Sequence, residues 1–374
     1  MKVMTVVGTR PEIIRLSRVI ALLDETVDHV LVHTGQNYDH SLNQVFFDDL
    51  GLRAPDHYLD VDTSSLGTVL GGTLVGTERV ILEERPDALL VLGDTNSCIA
   101  ALIGKRLKVP VYHMEAGNRC FDENVPEETN RRLVDHVADF NLAYTEHARR
   151  NLLAEGLHPR RVIVTGSPMR EVLDHYRSEI DASDALEQLG LTPRGYFLVS
   201  AHREENVDSI DRLTSLLQCL EEVHDLWDLP VVVSTHPRTR KRLEALAAET
   251  GRRTGEGIHF MDPFGFHAYN RLQLGAACVL SDSGTIAEES SILKFPAVTL
   301  RDSIERPEAL DTGAIMMTGL EPRNVVAAVE IVMNSEDASS DLPSGYEIVN
   351  TSLRVVRFIV STASRHHSWS GIRA

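Results

Sequence analysis

Residues 278–290 have the residue types and spacing of an anion-binding site. They follow the pattern of a buried strand that ends in a turn of small residues and opens directly into a helix. Unpaired backbone N–H groups and the helix dipole favour a phosphate at such a turn. Glu289 follows Ser283 by six residues and could accept hydrogen bonds from a ribose. The pattern predicts a nucleotide diphosphate here; the alternative is an ordinary helix cap with two surface glutamates.

Polar residues also follow three apolar strand patterns in the first half of the chain. Arg10 stands in a loop after residues 3–7, Asp94 follows residues 88–92, and Glu115 follows residues 109–114. In a parallel sheet, ligands lie beyond the carboxyl ends of the strands. We therefore expect these three side chains to converge on one crevice.

Further candidates are acids and histidines at element ends. Glu127 and Glu128 open a helix after Pro126, where acidic residues also suit the helix dipole. His202 follows the strand pattern 196–200 inside a charged loop, and His236 has a similar place after residues 231–234. An ordinary surface role is the alternative for each of these residues.

Arginines supply the cations that a diphosphate needs. Arg10 and Arg15 stand one turn apart near a helix start, where a solvated helix face is the alternative. Arg301 and Arg306 flank a turn that follows the strand pattern 295–300. Their placement suits the charge of a diphosphate.

Alternating strand and helix patterns predict an α/β fold with parallel sheets and right-handed crossovers. A chain of 374 residues exceeds the usual size of a single core, so two domains are expected. We predict Rossmann-like domains at residues 1–168 and 169–354, with a connecting segment in the polar run 177–191. A C-terminal helix at about 355–374 is expected to pack back on the first domain. We expect the tail after about Thr362 to be dispensable.

The composition of the chain limits the classes of molecule that the protein is expected to bind. The chain has 37 basic and 55 acidic residues, and its formal charge of −18 argues against nonspecific binding of nucleic acid or anionic membranes. Four widely separated cysteines predict neither a disulfide framework nor a metal site, and no apolar run reaches the roughly 18 residues of a membrane span. We expect a soluble, cytoplasmic protein.

Seven motifs closely resemble the non-hydrolysing UDP-N-acetylglucosamine 2-epimerase family, in the family's order and over nearly the whole chain. They are Gly8-Thr9-Arg10-Pro11-Glu12, Gly93-Asp94-Thr95, His113-Met114-Glu115-Ala116-Gly117-Asn118-Arg119, Pro126-Glu127-Glu128-Thr129-Asn130-Arg131, His202-Arg203-Glu204-Glu205-Asn206, Asp282-Ser283-Gly284-Thr285-Ile286-Ala287-Glu288-Glu289 and residues 301–307. The resemblance implies a GT-B fold, in which two Rossmann-like, doubly wound domains face a central cleft.

The resemblance also implies the chemistry. The family inverts carbon 2 of a UDP-N-acetylhexosamine without an added cofactor, through loss of UDP, a 2-acetamidoglycal and re-addition of UDP. The hydrogen on carbon 2 is not acidic, so departure of the diphosphate must lead or accompany its removal, and cations must stabilise the departing charge. Carboxylates on two sides can then remove and deliver the proton.

Site residues are carried over by motif. The catalytic candidates are Asp94, Glu115, Glu127 and His202, with Glu115 and Glu127 in proton transfer, Asp94 in support and His202 at the diphosphate. Arg15 stands where the family often has Lys, and Arg131 matches a family site arginine. The expected substrate-binding residues are Arg10, Arg15, Arg131, His236, Ser283, Gly284, Thr285, Glu289, Arg301 and Arg306.

Departures from the family pattern concern the substrate. Asn118 replaces a common aliphatic residue and Thr285 a common Gly; with residues 234–240 and 263–267 they are similar to the UDP-N-acetyl-L-fucosamine synthase branch. That branch acts on UDP-2-acetamido-2,6-dideoxy-L-talose in capsule or O-antigen precursor synthesis. The alternatives are epimerisation of UDP-N-acetylglucosamine to UDP-N-acetylmannosamine, a hydrolysing epimerase, a GT-B glycosyltransferase and a non-catalytic sensor. The resemblance implies a homodimer.

Overall fold

A computed structural model describes residues 1–36, 47–251, 255–335 and 341–373. Contacts between Cα atoms divide the chain into two compact units: residues 1–175 with 344–374, and residues 176–343. The polar run 177–191, expected to connect two domains, lies within the second unit as helical segments. The domain limits at residues 168 and 354 stay a prediction.

The first unit contains a seven-stranded parallel sheet in the order β3-β2-β1-β4-β5-β6-β7. The strands are β1 (Lys2–Val7), β2 (Asp28–His33), β3 (His57–Tyr58), β4 (Ala88–Leu92), β5 (Val111–Met114), β6 (Phe140–Ala143) and β7 (Val162–Val164). The helices that follow these strands are α1 (Arg10–Thr26), α2 (Leu66–Glu84), α3 (Ala100–Arg106), α4 (Pro126–Val137), α5 (Glu146–Ala154) and α6 (Met169–His175). Short 3₁₀ turns lie at Asn96–Ile99 and Pro159–Arg161.

The second unit repeats this plan with the sheet order β10-β9-β8-β11-β12-β13. Its strands are β8 (Phe197–Ser200), β9 (Val231–Ser234), β10 (Ile258–Met261), β11 (Cys278–Ser281), β12 (Ala297–Thr299) and β13 (Met316–Met317). Its helices are α7 (Arg177–Ala182), α8 (Ala185–Gln188), α9 (Glu204–Val207), α10 (Ile210–Trp227), α11 (Pro237–Thr250), α12 (Phe266–Gly275), α13 (Ile286–Leu293), α14 (Glu308–Asp311) and α15 (Pro322–Asn334), and α16 (Thr351–Ser370) returns to the first unit.

Both sheets have the Rossmann strand order, in which the first and fourth strands are neighbours. Every residue of the apolar strand β4 is buried, because helices cover both faces of the sheet. The corresponding pairs β1 with β4 and β8 with β11 bring the loops after these strands to one edge of each sheet. These two edges carry the candidate site residues.

The C-terminal tail corrects one expectation. Thr362, Ala363 and His366 are buried in α16, and the Tyr112 and Thr362 hydroxyls lie 2.7 Å apart. Phe358 packs edge-on against Phe140. After Thr362, Ala363 and His366 are therefore buried in the first unit, and the expectation that this tail is dispensable is wrong for these two residues.

One helix start differs from prediction, and another helix follows a turn of small residues as predicted. A 3₁₀ turn at Asn96–Ile99 precedes α3, where the sequence pattern predicts one helix from about residue 97 to 108. Helix α13 begins at Ile286, so residues 283–285 form a turn before it. Among the helices in the described part of the chain, none has the length and apolar character that crossing a membrane requires.

Candidate functional site

Glu12 joins the loops that follow β1 and β4. Its carboxylate accepts hydrogen bonds of 2.7 Å from the backbone N–H groups of Gly8 and Thr9, and one of 2.9 Å from the Thr95 hydroxyl. Burial raises the pKa of Glu12, although hydrogen bonds from Ser97 and these other donors oppose the shift. The sequence reasoning did not assign Glu12 a role; the capping-box spacing from Thr9 to Glu12 was the signal for it.

Glu115 occupies an unusual backbone conformation at the end of β5. Its φ of +65° is sparsely populated for a residue with a side chain. The Glu115 carboxylate is buried and pairs with the buried guanidinium of Arg15, and the Asn118 amide approaches its other oxygen at 3.4 Å. A Cβ atom added to Gly93 would lie 3.4 Å from the Glu115 carboxylate. The loop containing Gly93 and Asp94 therefore lies against Glu115.

Asp94 is held by helix α4. The Nε atom of Arg131 donates to the Asp94 carboxylate at 2.7 Å, and Nη2 lies at the same distance. The Asn130 side chain donates to the Asp94 carbonyl at 2.8 Å. The pairing places Arg131 beside a candidate catalytic acid.

Glu128 anchors the start of α4 against the loop after β5. It accepts hydrogen bonds of 3.1 Å from the Cys120 backbone N–H and from Arg131 Nη1. Burial alone would raise the pKa of Glu128, but these donors outweigh burial and hold the pKa below its usual range. Glu128 thus has a structural role, whereas its neighbour Glu127 is only half-buried.

Arg10 and Glu127 lie at helix starts that face the carboxyl edge of the first sheet. Arg10 is the half-buried first residue of α1, and Glu127 lies in the first turn of α4. Burial lowers the pKa of Arg10. The first unit thus brings Arg10, Arg15, Asp94, Glu115, Glu127 and Arg131 to the carboxyl edge of its sheet.

In the second unit, the buried Asp282 organises the loop that carries His202. Its carboxylate accepts hydrogen bonds of 3.1 and 3.0 Å from the backbone N–H groups of His202 and Arg203, and one of 3.1 Å from Asn206. The His202 ring, 44% exposed, has its Nδ1 atom 3.5 Å from Asp282. This loop holds the His202 backbone and leaves much of its ring accessible.

Gly284 lies in a tight polar enclosure. A Cβ atom added to it would come within 2.5 Å of Glu305 Oε1 and 2.9 Å of Arg306 Nη1. The buried Arg306 donates to the Gly284 carbonyl, while Arg301 pairs with Glu305. The Nε and Nη2 atoms of Arg301 are buried and lack hydrogen-bond partners among the described residues.

The turn before α13 differs from an open helix end, because some of its backbone N–H groups are hydrogen-bonded within the chain. The Ser283 N–H donates to the Ser281 hydroxyl at 3.0 Å, and the Thr285 N–H donates to the Ser283 hydroxyl at 3.3 Å. Two backbone donors that the sequence reasoning counts as unpaired thus have partners inside the chain. The hydroxyls of Ser283 and Thr285 lie 3.0 Å apart at the same turn.

Glu289 and His236 complete the second edge. Gln273 donates to the buried Glu289 carboxylate at 2.6 Å, which fixes this acid behind the turn. His236 caps α11 by accepting a hydrogen bond from the Arg238 N–H, and its ring centre lies 6.3 Å from that of His202. The second unit thus brings His202, His236, Ser283, Gly284, Thr285, Glu289, Arg301 and Arg306 to the carboxyl edge of its sheet.

Known proteins are similar to this chain over nearly its whole length. The family model described as UDP-N-acetylglucosamine 2-epimerase matches residues 21–360. The chain belongs to the UDP-N-acetylglucosamine 2-epimerase family. An epimerase structure from Rickettsia bellii is 44% identical, with 98% of each chain covered and a TM-score of 0.90.

Two further relatives of the family have different named substrates. The Methanocaldococcus jannaschii UDP-N-acetylglucosamine 2-epimerase, solved in complex with UDP-N-acetylglucosamine and UDP, is 35% identical over 96% of this chain and 100% of that one, with a TM-score of 0.90. A Pseudomonas aeruginosa UDP-2,3-diacetamido-2,3-dideoxy-D-glucuronate 2-epimerase is 36% identical over 85% of this chain and 88% of that protein.

These similarities confirm the predictions of family, fold type and enzyme class. The family, the GT-B type of two Rossmann-like domains and the enzyme class, a UDP-sugar 2-epimerase that does not hydrolyse its substrate, are confirmed. The assignment to the UDP-N-acetyl-L-fucosamine synthase branch and the individual site residues stay predictions.

Proposed function

We propose that this epimerase inverts carbon 2 of a UDP-N-acetylhexosamine by eliminating UDP and adding it back. The C1–O bond breaks and UDP leaves with the electron pair, while a base takes the proton from carbon 2 and a C1=C2 double bond forms. In the second step a proton returns to the opposite face of carbon 2 and a UDP oxygen bonds to C1. The observation that carries the proposal is the buried Glu115 carboxylate, fixed by Arg15 beside the Asp94 loop.

The proton-transfer groups belong to the first unit. Glu115 and Glu127 exchange the proton on carbon 2, and Asp94 supports or shares that role through its pairing with Arg131. The rigid contacts around Glu115 support this assignment, because a base must be held in reach of the proton it removes. Arg10 and Arg15 add positive charge at the same edge and favour the departing diphosphate.

The nucleotide groups belong to the second unit. His202 acts on the diphosphate and the leaving oxygen, with His236 and the turn of Ser283, Gly284 and Thr285 beside it. Arg306 and Arg301 supply positive charge, and the buried donors of Arg301 support its assignment to an anion. Glu289 accepts hydrogen bonds from the ribose. We expect no added cofactor, since the elimination and re-addition need no net oxidation.

For the finer substrate we propose UDP-2-acetamido-2,6-dideoxy-L-talose, converted to UDP-N-acetyl-L-fucosamine in capsule or O-antigen precursor synthesis. The support is that two departures from the family pattern touch site residues: Asn118 contacts Glu115, and Thr285 contacts Ser283. The second candidate is UDP-N-acetylglucosamine, which the names of the Rickettsia and Methanocaldococcus relatives favour. A cytoplasmic homodimer is part of the proposal.

A substrate panel tests the proposal. The purified protein is incubated separately with the 6-deoxy-L-talo nucleotide sugar and with UDP-N-acetylglucosamine, and the products and any free UDP are quantified. We expect a 2-epimer from the first sugar without stoichiometric release of UDP. Faster turnover of UDP-N-acetylglucosamine would overturn the finer substrate. No conversion of these two sugars or of any other UDP-N-acetylhexosamine would overturn the reaction.

The roles of the acids have their own test. Glu115→Gln and Glu127→Gln should each lower kcat for epimerisation at least 100-fold, in the range of general acid–base catalysis, with the affinity for UDP within about twofold of the wild type. Equal loss of turnover and of UDP binding would make these residues structural.

A further inference from the structure

A buried histidine and a buried aspartate lie directly beneath the loops that carry Asp94 and Glu115. His113 is in β5 and Asp135 is in α4, and both are at most 1% exposed. The His113 Nδ1 atom lies 2.8 Å from an Asp135 carboxylate oxygen, and its Nε2 atom lies 2.8 Å from the Gly93 carbonyl. The reaction proposed above does not use either residue.

The partners of His113 fix the orientation of its ring. The Gly93 carbonyl can only accept a hydrogen bond, so Nε2 must carry a hydrogen. The Asp135 carboxylate also accepts hydrogen bonds from the Gly117 N–H at 3.1 Å and from Arg119 Nη1 at 2.7 Å. The ring therefore bridges the Gly93 carbonyl and the Asp135 carboxylate.

This network connects both loops that carry candidate acids. His113 binds the Gly93 carbonyl, which directly precedes Asp94. Asp135 binds the Gly117 N–H, two residues after Glu115. Glu115 lies between these contacts with its φ of +65°, a conformation that persists only where the surroundings hold it.

We infer that His113 and Asp135 are a positioning pair, which fixes the spacing between the Asp94 loop and Glu115. The inference rests on the proposed roles of Asp94 and Glu115. Neither residue of the pair touches the reacting atoms. Its loss shifts the two acids relative to each other, and a shift of about 1 Å in a catalytic group costs about 100-fold in rate.

The chain offers a matched control for a buried aspartate. Asp139 is also at most 1% exposed, accepts a 3.0 Å hydrogen bond from the Val111 N–H and has His366 Nε2 at 3.3 Å. It precedes β6 and therefore lies at the opposite edge of the sheet from Glu115. A merely structural effect of losing a buried carboxylate should be alike at both positions.

The experiment compares Asp135→Asn with Asp139→Asn in the full-length protein, at a temperature where both variants are folded. We expect Asp135→Asn to lower kcat about 100-fold with KM and UDP affinity within twofold, and Asp139→Asn to keep kcat within twofold. Similar kcat losses in both variants, or an unchanged kcat in Asp135→Asn, would overturn the inference. A wild type inactive on every UDP-N-acetylhexosamine would refute the proposed function instead.

A second measurement does not depend on folding of a variant. Nitrogen-15 NMR of the wild-type protein with labelled histidine should show a hydrogen on Nε2 of His113, assigned by the signal that disappears in His113→Gln. A ring without a hydrogen on Nε2 would overturn the hydrogen bond to Gly93 and, with it, the pair.

Discussion

The pair of Arg15 and Glu115 gives a quantitative test of the site. Their side chains are 9% and 5% exposed, so water screens little of either charge. Arg15→Met keeps an apolar stem of similar length and removes the positive charge. Removing one partner of a buried pair costs about 3–5 kcal/mol, because the remaining charge has lost its partner. At about 2–4 °C per kcal/mol for a unit of this size, Tm should fall by roughly 6–20 °C.

The assay is urea unfolding and thermal unfolding of the wild type and four variants. Arg15→Lys keeps the charge and should lose less than half as much stability as Arg15→Met. The double variant Arg15→Met with Glu115→Gln removes both charges, so it should recover more than half of the lost free energy while staying inactive. Arg170→Met, which breaks a half-exposed pair with Asp174, should cost under about 1 kcal/mol.

Two results would refute this reasoning. The first is a double variant no more stable than Arg15→Met, since the loss would then come from packing and not from an uncompensated Glu115. The second is equal destabilisation by Arg15→Met and Arg170→Met, since burial would then not decide the energy of the pair.

Two further predictions concern Gly284 and Glu128. Gly284→Ala should weaken UDP binding about tenfold or more in calorimetric titration, because the new Cβ displaces Glu305 and Arg306. The control Gly71→Ala, which has open space around the new Cβ, should leave UDP binding unchanged. Equal UDP affinities of the two variants would contradict the enclosure around Gly284. The pKa of Glu128 is lower in the folded protein than in the unfolded chain, so its contribution to stability is complete above the unfolded value of about 4.3 and is lost as pH falls through the folded pKa. Glu128→Gln should flatten this acid dependence of unfolding, whereas an unchanged profile would exclude Glu128 as its source.

Much of the fold could be predicted because local pattern determines it. The all-apolar run 88–92 indicated a strand covered on both faces, and small or charged residues marked the strand ends where Arg10, Asp94 and Glu115 lie. Parallel strands then place those ends at one edge of the sheet. The strand order within each sheet was not accessible in this way, since it depends on packing between distant elements.

The parts that could not be predicted depend on side-chain partners far apart in sequence. Glu127 and Glu128 are adjacent glutamates at a helix start, and their sequence positions do not distinguish their roles. Only the folded chain shows that Glu128 accepts hydrogen bonds from Cys120 and Arg131. His113 and Asp135 are separated by 22 residues and have no local signal for their contact. The tail was misread despite a usable signal, because apolar residues recur at helical spacing up to Ala363.

The central claim is that the hydrogen on carbon 2 is removed and replaced during turnover. Incubating the wild-type enzyme with its UDP-N-acetylhexosamine in heavy water, followed by NMR of the product, tests this most directly. The account predicts deuterium on carbon 2 of the epimerised product. A product that keeps its original hydrogen at that carbon would contradict proton exchange by Glu115 and Glu127.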